Sequence, residues 1–180
     1  MSLKAPRGSA VLLVALLTIA CGDAGSTNPT TDSTETPAGG TVQQFELGKP
    51  VNFEAFEVTV KDVEQRQQVG ISGASAKASE GGTLVAVTYT IKNTGEEPLG
   101  MFDRPTLKLV DPNGRAYDQD VNASTHFSLM KDFTAKSISD LNPGITTTDG
   151  AVWEVAKTKF DKNNWKVMLD GHKNAQISLR

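Results

Sequence analysis

The chain has 180 residues, of which 38% are hydrophobic and 22% are charged, and its formal net charge at pH 7 is −3. An acidic chain whose charges form no long runs is a poor match for nucleic acid or for an anionic lipid surface. A single cysteine excludes an intramolecular disulfide, so the hydrophobic core has to hold the fold. The length suits one domain behind a leader segment.

The amino terminus has the pattern of a secretory signal. Lys4 and Arg7 precede the apolar run AVLLVALLTIA at residues 10–20, which is shorter than the roughly 20 residues of a bilayer-spanning helix. Cys21 follows this run directly, and the segment Thr18–Cys21 resembles the lipobox of bacterial lipoproteins, with threonine where leucine is commoner. The resemblance implies diacylglycerol transfer to the Cys21 sulfur, cleavage before Cys21 and often acylation of the new amino terminus. The alternative is an ordinary secreted protein whose signal ends near a buried cysteine.

These features divide the chain into a signal peptide at 1–20, a lipidated linker at 21–44 and a folded domain at 45–180. Residues 22–41 lack aromatic and large aliphatic side chains, so they cannot bury enough surface to offset the entropy of ordering, and we expect a disordered tether. Cleavage leaves 16 of the 18 basic side chains against 21 acidic ones. We expect membrane lipid to hold the domain through acylated Cys21 on the extracytoplasmic side. We expect the protein to be located at the cell membrane or at the outer membrane. In an envelope with two membranes the outer membrane is favoured, because Gly22 follows Cys21 in place of the aspartate that retains lipoproteins in the inner membrane.

Residues 45–180 have the pattern of an all-β domain. Period-two alternation over Phe56–Val63 and Leu84–Lys92 indicates half-buried strands. Further strands are predicted at Thr106–Val110, Arg115–Tyr117, Ile145–Val155, Trp165–Leu169 and Ala175–Leu179. About seven or eight short strands with turn signals between them predict a two-sheet β-sandwich. The one helical pattern is at Asn122–Lys136, where large apolar residues recur every three positions.

Three blocks of this domain resemble a bacterial domain of unknown function that occurs mostly in lipoproteins and secreted proteins. The blocks are LVAVTYTIKN at 84–93, LVDPNGRAY at 109–117, and LNPG at 141–144 followed by VWEV at 152–155. They match the family's strand ending in K-N, its D-x-x-G-x-x-Y hairpin and its L-x-P-G turn, with tryptophan at 153 in place of the usual phenylalanine. The resemblance implies an immunoglobulin-like β-sandwich over about residues 45–179 and brings no enzymatic activity. Some members are named after a telomeric repeat-binding factor, a role that an acidic, exported chain does not support.

Two side-chain patterns could carry chemistry. Ser128–Lys131 fits the S-x-x-K motif of serine acyltransferases, but the accompanying S-D-N and K-T-G boxes are missing, and so short a motif arises by chance. His126 and Met130 are four residues apart, as are Met168 and His172, and imidazole with thioether suits Cu(I). Such spacing brings two side chains together only on a helix, so packed methionines and surface histidines are the simpler interpretation. An envelope copper carrier using His126 and Met130 is the alternative function.

Two long segments, 64–82 and 121–141, are candidates for recognition because binding often resides in loops on a rigid sandwich. The simpler interpretation is a hairpin extension for the first and a flap that seals the core for the second. We therefore predict a non-catalytic binding or structural module of the cell envelope. It needs no cofactor, and its partner is an envelope protein or a small ligand rather than nucleic acid.

The lipoprotein interpretation predicts that Cys21→Ser releases the protein from membranes or leaves the signal uncleaved, because Cys21 alone can carry the lipid. Detergent-phase partitioning of cell fractions measures this, with Ser26→Ala in the linker as the control. A Cys21→Ser variant that partitions like the wild type contradicts the interpretation.

Overall fold

The structure, a computed structural model, describes residues 42–133 and 139–180; the signal and Cys21 lie outside the described residues. The strands of its first sheet are β1 (Gln43–Phe45), β7 (Leu107–Val110), β8 (Ala116–Tyr117), β10 (Lys166–Leu169) and β11 (His172–Ser178). Those of its second sheet are β2 (Val51–Asn52), β3 (Phe56–Arg66), β6 (Gly82–Asn93) and β9 (Thr146–Ala156). The first sheet has the spatial order β1-β11-β10-β7-β8, and the second has the order β2-β3-β6-β9.

Three smaller elements complete the domain. Strands β4 (Gln68–Ile71) and β5 (Ala74–Lys77) form a separate hairpin, α1 spans Val121–Met130, and a 3-10 turn spans Met101–Asp103. The predicted two-sheet β-sandwich is confirmed. The described residues contain more strands than the seven or eight predicted, and the additional strands are β1, β2, β4 and β5.

The main core lies between the two sheets. In β6 the alternate residues from Val85 to Ile91 all face it, as their period-two pattern predicts. Val85 pairs with Trp153 of β9, whose side chain is 0% exposed and whose indole Nε1 donates to the Tyr117 carbonyl at 3.0 Å. This hydrogen bond joins the second sheet to β8 of the first sheet.

A second apolar cluster lies on the outer face of the second sheet. Leu84 and Ala86 of β6 and Val152 of β9 are buried there beneath Phe127 of α1 and Val69 of β4. The first half of β6 is therefore covered on both faces, which one-sided alternation does not predict.

The segment 64–82 is a hairpin extension and not a long open loop. Strand β3 continues to Arg66, and the β4–β5 hairpin follows at once. At Gly70, φ is +114°, and a Cβ there would overlap the Ala74 carbonyl oxygen, so only glycine fits this pairing. Val69 and Ile71 are the only large apolar residues of this hairpin, which are too few to form an alternating pattern in the sequence.

The helix α1 covers the edge of β9. Asp120 caps its first turn, with Oδ1 accepting the Ala123 N–H at 2.9 Å, while the Asp120 N–H donates to the Val152 carbonyl at 2.8 Å. The Val152 N–H in turn donates to the Ser124 hydroxyl at 2.9 Å. The helix begins one residue before the predicted pattern at 122–136 and ends at Met130, and residues 134–136 of the prediction lie outside the described residues. The interpretation of the segment 121–141 as a covering flap fits its first ten residues.

We predict that Trp153→Ala lowers the free energy of unfolding by about 3–5 kcal/mol, the usual effect of truncating a buried tryptophan. The variant also leaves the Tyr117 carbonyl without its donor. Denaturant titration measures the change, and Lys92→Ala, on an exposed position of β6, is the control. Equal midpoints for the two variants would contradict the assignment of Trp153 to the core.

Candidate functional site

The residues that match the D-x-x-G-x-x-Y pattern build a hairpin. Asp111 Oδ1 accepts the N–H groups of Asn113 and Arg115, each at 2.9 Å, and the Tyr117 hydroxyl donates to Oδ2 at 3.2 Å. Burial acts to raise the pKa of the Asp111 carboxyl, but these three donors outweigh it and hold the pKa below its ordinary value. Gly114 takes the positive φ of +79° that the turn requires. The motif is therefore structural.

Asn93, at the end of the K-N block, joins three parts of the chain. Its amide nitrogen donates to the carbonyls of Glu97 at 2.8 Å and Leu141 at 2.7 Å, and its Oδ1 accepts the Gly95 N–H at 2.9 Å. Its own carbonyl accepts the Gly144 N–H, which belongs to the L-x-P-G turn. With an exposed fraction of 1%, Asn93 is a buried structural residue and is not available to a ligand.

A different set of residues forms a cleft of about 410 Å³, which we call the β9 cleft. It is lined by Tyr89 and Ile91 of β6, Asp149 and Gly150 of β9, Val121, Ser124, Thr125 and Ser128 of α1, Gln119, and residues 101 and 104–106. Its volume lies within the roughly 300–1,000 Å³ of small-molecule sites.

Arg104 reaches the β9 cleft because of its place before a proline. Pro105 disfavours a helical conformation at Arg104, so the 3-10 turn ends at Asp103 and Arg104 is extended, with φ −69° and ψ 142°. The guanidinium donates from Nη2 to the Ser139 carbonyl. Arg104 is only 9% exposed, which places a cation in a largely desolvated wall of the cleft.

Asp149 supplies the opposite charge. Its Oδ1 accepts the Gly150 N–H at 2.7 Å and lies 3.5 Å from the Ser128 hydroxyl, which donates to it. Burial raises the pKa of the Asp149 carboxyl above its ordinary value, although the Gly150 N–H, the charge of Arg104 and the Ser128 hydroxyl each lower it. The fold thus keeps a carboxylate where the surroundings disfavour its ionised form, a feature typical of functional sites.

Neutral polar groups and an apolar rim complete the cleft. Burial and then the nearby negative charge of Asp149 raise the pKa of the Tyr89 phenol, so the phenol stays protonated at neutral pH. Met101 and Val121 at the rim are 39% and 76% exposed, and the neighbouring Phe102 is 92% exposed. Large apolar side chains beside buried polar groups form the usual lining of a binding pocket.

A second cleft of about 430 Å³ lies beside His172, whose ring centroid is 4.7 Å from that of Phe53 and 6.1 Å from that of Phe56. The polar residues at this cleft, such as Lys173 and Asn174, are exposed. Because none of the described residues that line this second cleft is a buried charged residue, we regard the β9 cleft as the stronger candidate.

The structure places one of the two predicted histidine–methionine pairs on a single helix. His126 and Met130 lie one turn apart on α1, and His126 Nδ1 is buried without a hydrogen bond to the described residues. Met168 alternates with the core residues Val167 and Leu169, so it faces away from the core, whereas the His172 ring packs against the phenylalanines. The described residues contain no group of three or more His, Cys, Asp or Glu that could hold a metal. A Cu(I) site at His126 and Met130 stays a prediction.

The Ser128–Lys131 motif does not form a serine–lysine pair. The Lys131 ammonium forms an ion pair with Glu64 of β3 at 2.6 Å and lies 5.5 Å from the centre of the Phe127 ring. Ser128 instead donates to Asp149 in the β9 cleft. The lysine is thus engaged by another element and is not placed to activate the serine.

The sequence interpretation missed the two charges of the cleft, but one of them left a signal. Asp149 has the same parity in β9 as Ala151, Trp153 and Val155, which face the core. A carboxylate at an inward position of a strand indicates a site, since such positions are normally apolar. Arg104 lies outside any strand and left no comparable signal.

The family of the chain follows from comparison with known proteins. The sequence model of a domain of unknown function, DUF4352, matches residues 45–164. The chain belongs to the DUF4352 family. The DUF4352 match includes every residue that lines the β9 cleft. A relative from Bacillus subtilis (strain 168), known as uncharacterized protein YxkC, is 44% identical over 128 residues, which are 71% of each chain.

Solved structures share the fold of this DUF4352 domain. A conserved hypothetical protein from Bacillus anthracis, solved at 2.2 Å, has a TM-score of 0.63 and 31% identity, covering 71% of this chain and 90% of that protein. A β-sandwich protein from Clostridium difficile 630 has a TM-score of 0.53 and 17% identity, covering 80% and 99% of the two chains. The second comparison supports the β-sandwich fold alone.

We predict that Asp149→Asn stabilises the domain more at neutral than at acid pH. The native pKa of Asp149 is raised above its ordinary value of 3.8, so the native state holds the proton more tightly than the unfolded state. Stability is therefore lost as the pH rises from the ordinary pKa through the raised one, and asparagine removes this loss.

Thermal unfolding of both proteins over this pH range measures the effect as a difference in Tm that grows with pH. Glu80→Gln, at an exposed carboxylate before β6, is the control. A pH-independent difference for Asp149→Asn would show that ionised Asp149 does not weaken the fold.

Proposed function

We propose that this DUF4352 protein is a lipid-anchored, extracytoplasmic and non-catalytic binding module of the bacterial cell envelope. The observation that carries the binding role is the β9 cleft, where the sandwich holds the buried Arg104 and the partly buried Asp149 beside exposed apolar side chains. Neither charge is needed to close the core, which lies between the sheets. A carboxyl whose pKa is raised by burial and which lies in a cleft is a candidate for ligand binding.

The anchoring role is supported by the sequence before the domain. The short apolar run, the preceding basic residues and Cys21 form a lipoprotein signal, and two or more acyl chains hold a protein stably at a membrane. In the described part of the chain, no helix is long and apolar enough to cross a bilayer. The Cys21→Ser partitioning experiment above tests this part of the proposal.

The non-catalytic role is supported by the partners of the groups that could react. Lys131 is paired with Glu64, and the Ser128 hydroxyl faces the Asp149 carboxyl directly, without an imidazole between them. A serine nucleophile needs a base whose own orientation is fixed by a third group. The groups of the β9 cleft are arranged to bind and orient a ligand.

To test the binding role, we expect Thr125→Trp to block the β9 cleft. Thr125 is an exposed residue of α1 on the cleft wall, so an indole there fills the mouth without disturbing the core. The low-molecular-mass fraction of a bacterial envelope extract should raise the Tm of the wild type, because a ligand that binds only the native state stabilises it, and should leave Thr125→Trp unchanged.

Thr158→Trp places the same indole on an exposed turn outside the cleft and should respond like the wild type. Circular dichroism of the three proteins checks that each is folded. An equal rise in Tm for Thr125→Trp would place the binding elsewhere, and no rise in the wild type would count against a small-molecule role.

A further inference from the structure

We propose that the apolar rim of the β9 cleft is a docking surface for a polypeptide segment of the cell envelope that carries both apolar and basic side chains. We call this surface the Phe102 patch. It consists of Met101 and Phe102 of the 3-10 turn and of Val121, Thr125 and Leu129 of α1. The inference goes beyond the proposed function, since it concerns a macromolecular partner and does not require a small ligand inside the cleft.

One half of the Phe102 patch is a stripe along α1. Val121, Thr125 and Leu129 follow one another at intervals of four residues, which places their side chains on one face of the helix. All three are exposed, whereas Ala123 and Phe127 are buried in the cluster on the second sheet. The helix therefore supplies its core contacts from one face and turns a largely apolar stripe toward solvent from another.

The other half of the patch is the 3-10 turn. Phe102 is 92% exposed, and none of the three residues of this turn is buried. Met101 lines the β9 cleft together with Val121 and Thr125, so the two halves of the patch meet at its mouth. Four of the seven large hydrophobic side chains that are exposed in the described part of the chain belong to this patch. Exposed apolar residues that lie together mark an interaction site, and an aromatic ring is a typical anchor for a partner.

The charge beside the Phe102 patch is negative. The carboxylates of Asp103 and Asp140 converge at Gly100, where the 3-10 turn starts, and lie 2.7 and 3.9 Å from the position that a Cβ of Gly100 would occupy. Both side chains are exposed, and neither forms an ion pair with another described residue. Arg104, the one cation among the described residues that line the cleft, already donates to the Ser139 carbonyl. Like charges that face each other across an interface are unfavourable, so a complementary partner carries basic side chains.

The same charges argue against a lipid surface as the occupant. Protein surfaces that bind membranes combine apolar side chains with lysine and arginine, which attract anionic headgroups. The Phe102 patch combines apolar side chains with carboxylates, which anionic headgroups repel. A basic amphipathic polypeptide segment offers apolar side chains to the patch and cations to Asp103 and Asp140.

Fluorescence anisotropy with labelled synthetic peptides tests the inference on the mature chain, which carries Cys21→Ser so that no acyl chain interferes. The probes are three short helical peptides of equal length, built from leucine and lysine, from leucine and glutamate, and from alanine and lysine. We expect the leucine–lysine peptide to bind at least about tenfold more tightly than either of the others, because each of these lacks one of the two complementary properties.

Two pairs of variants locate the binding. Phe102→Ser should weaken binding of the leucine–lysine peptide about tenfold, since it removes the aromatic anchor. Val42→Ser is its control and should have no effect, because Val42 is also exposed but precedes β1, at the edge of the first sheet opposite β8. Asp103→Asn should reduce the preference for the lysine peptide over the glutamate peptide, and Glu80→Gln, at an exposed carboxylate before β6, should keep it. Circular dichroism checks that all four variants are folded.

Equal affinity of the wild type for the leucine–lysine and leucine–glutamate peptides would overturn the inference, because the carboxylates would then not select the partner. Equal peptide affinities of Phe102→Ser and Val42→Ser would overturn it too, since the binding would lie outside the patch. Vesicles of phosphatidylcholine provide the remaining test. If they bind the wild type as tightly as the leucine–lysine peptide does, and Phe102→Ser abolishes that binding, the patch is a lipid contact and the inference is wrong.

Discussion

The docking of α1 against β9 is the interaction on which the rest of this structure depends. Asp120 and Ser124 satisfy the outward backbone groups of Val152, so at this point the edge of the second sheet is paired with the helix and is not open to another chain. Phe127 packs against Gly150, where a Cβ would lie 2.5 Å from the ring carbon Cδ1. A glycine within a strand usually weakens it, but here it permits the close approach that buries the second apolar cluster.

The same contact positions the candidate site. Because Phe127 rests on Gly150, the next residue of the helix, Ser128, is brought to Asp149, the residue before the glycine. The ion pair between Lys131 and Glu64 fixes the end of α1 on β3. Burial acts to raise the pKa of Glu64, but hydrogen bonds from Lys131 and Arg66 lower it below its ordinary value, so this carboxylate is charged at neutral pH. The helix therefore supports the second sheet and forms one wall of the β9 cleft.

The turn-forming residues of the framework differ from the charged residues of the candidate site, although Tyr89 and Ile91 of the K-N block also line the β9 cleft. The positions that match the family pattern, such as Asn93, Asp111 and Gly114, shape turns and join loops, and their hydrogen bonds are directed inward. Arg104 and Asp149 lie outside those blocks and face a cleft. Such a division lets one β-sandwich framework carry different ligand specificities, since residues on a cleft can change without altering the turns that set the fold.

The sequence by itself determined the β-sandwich, because period-two alternation in β6 and β9 reports which side chains face the core, and Trp153 and the alternate residues from Val85 to Ile91 lie there. It also determined the hairpin at Asp111–Tyr117, since that turn depends on residues adjacent in the chain. Only the tertiary structure decided that the first half of β6 is buried on both faces. It also decided that Ser128 donates a hydrogen bond to Asp149 and is not paired with Lys131. It alone brought Arg104 and Asp149 to one cleft, 45 positions apart in the numbering. The physical reason is range: alternation and turn chemistry act between neighbours, whereas the cleft depends on how a helix packs against a distant strand.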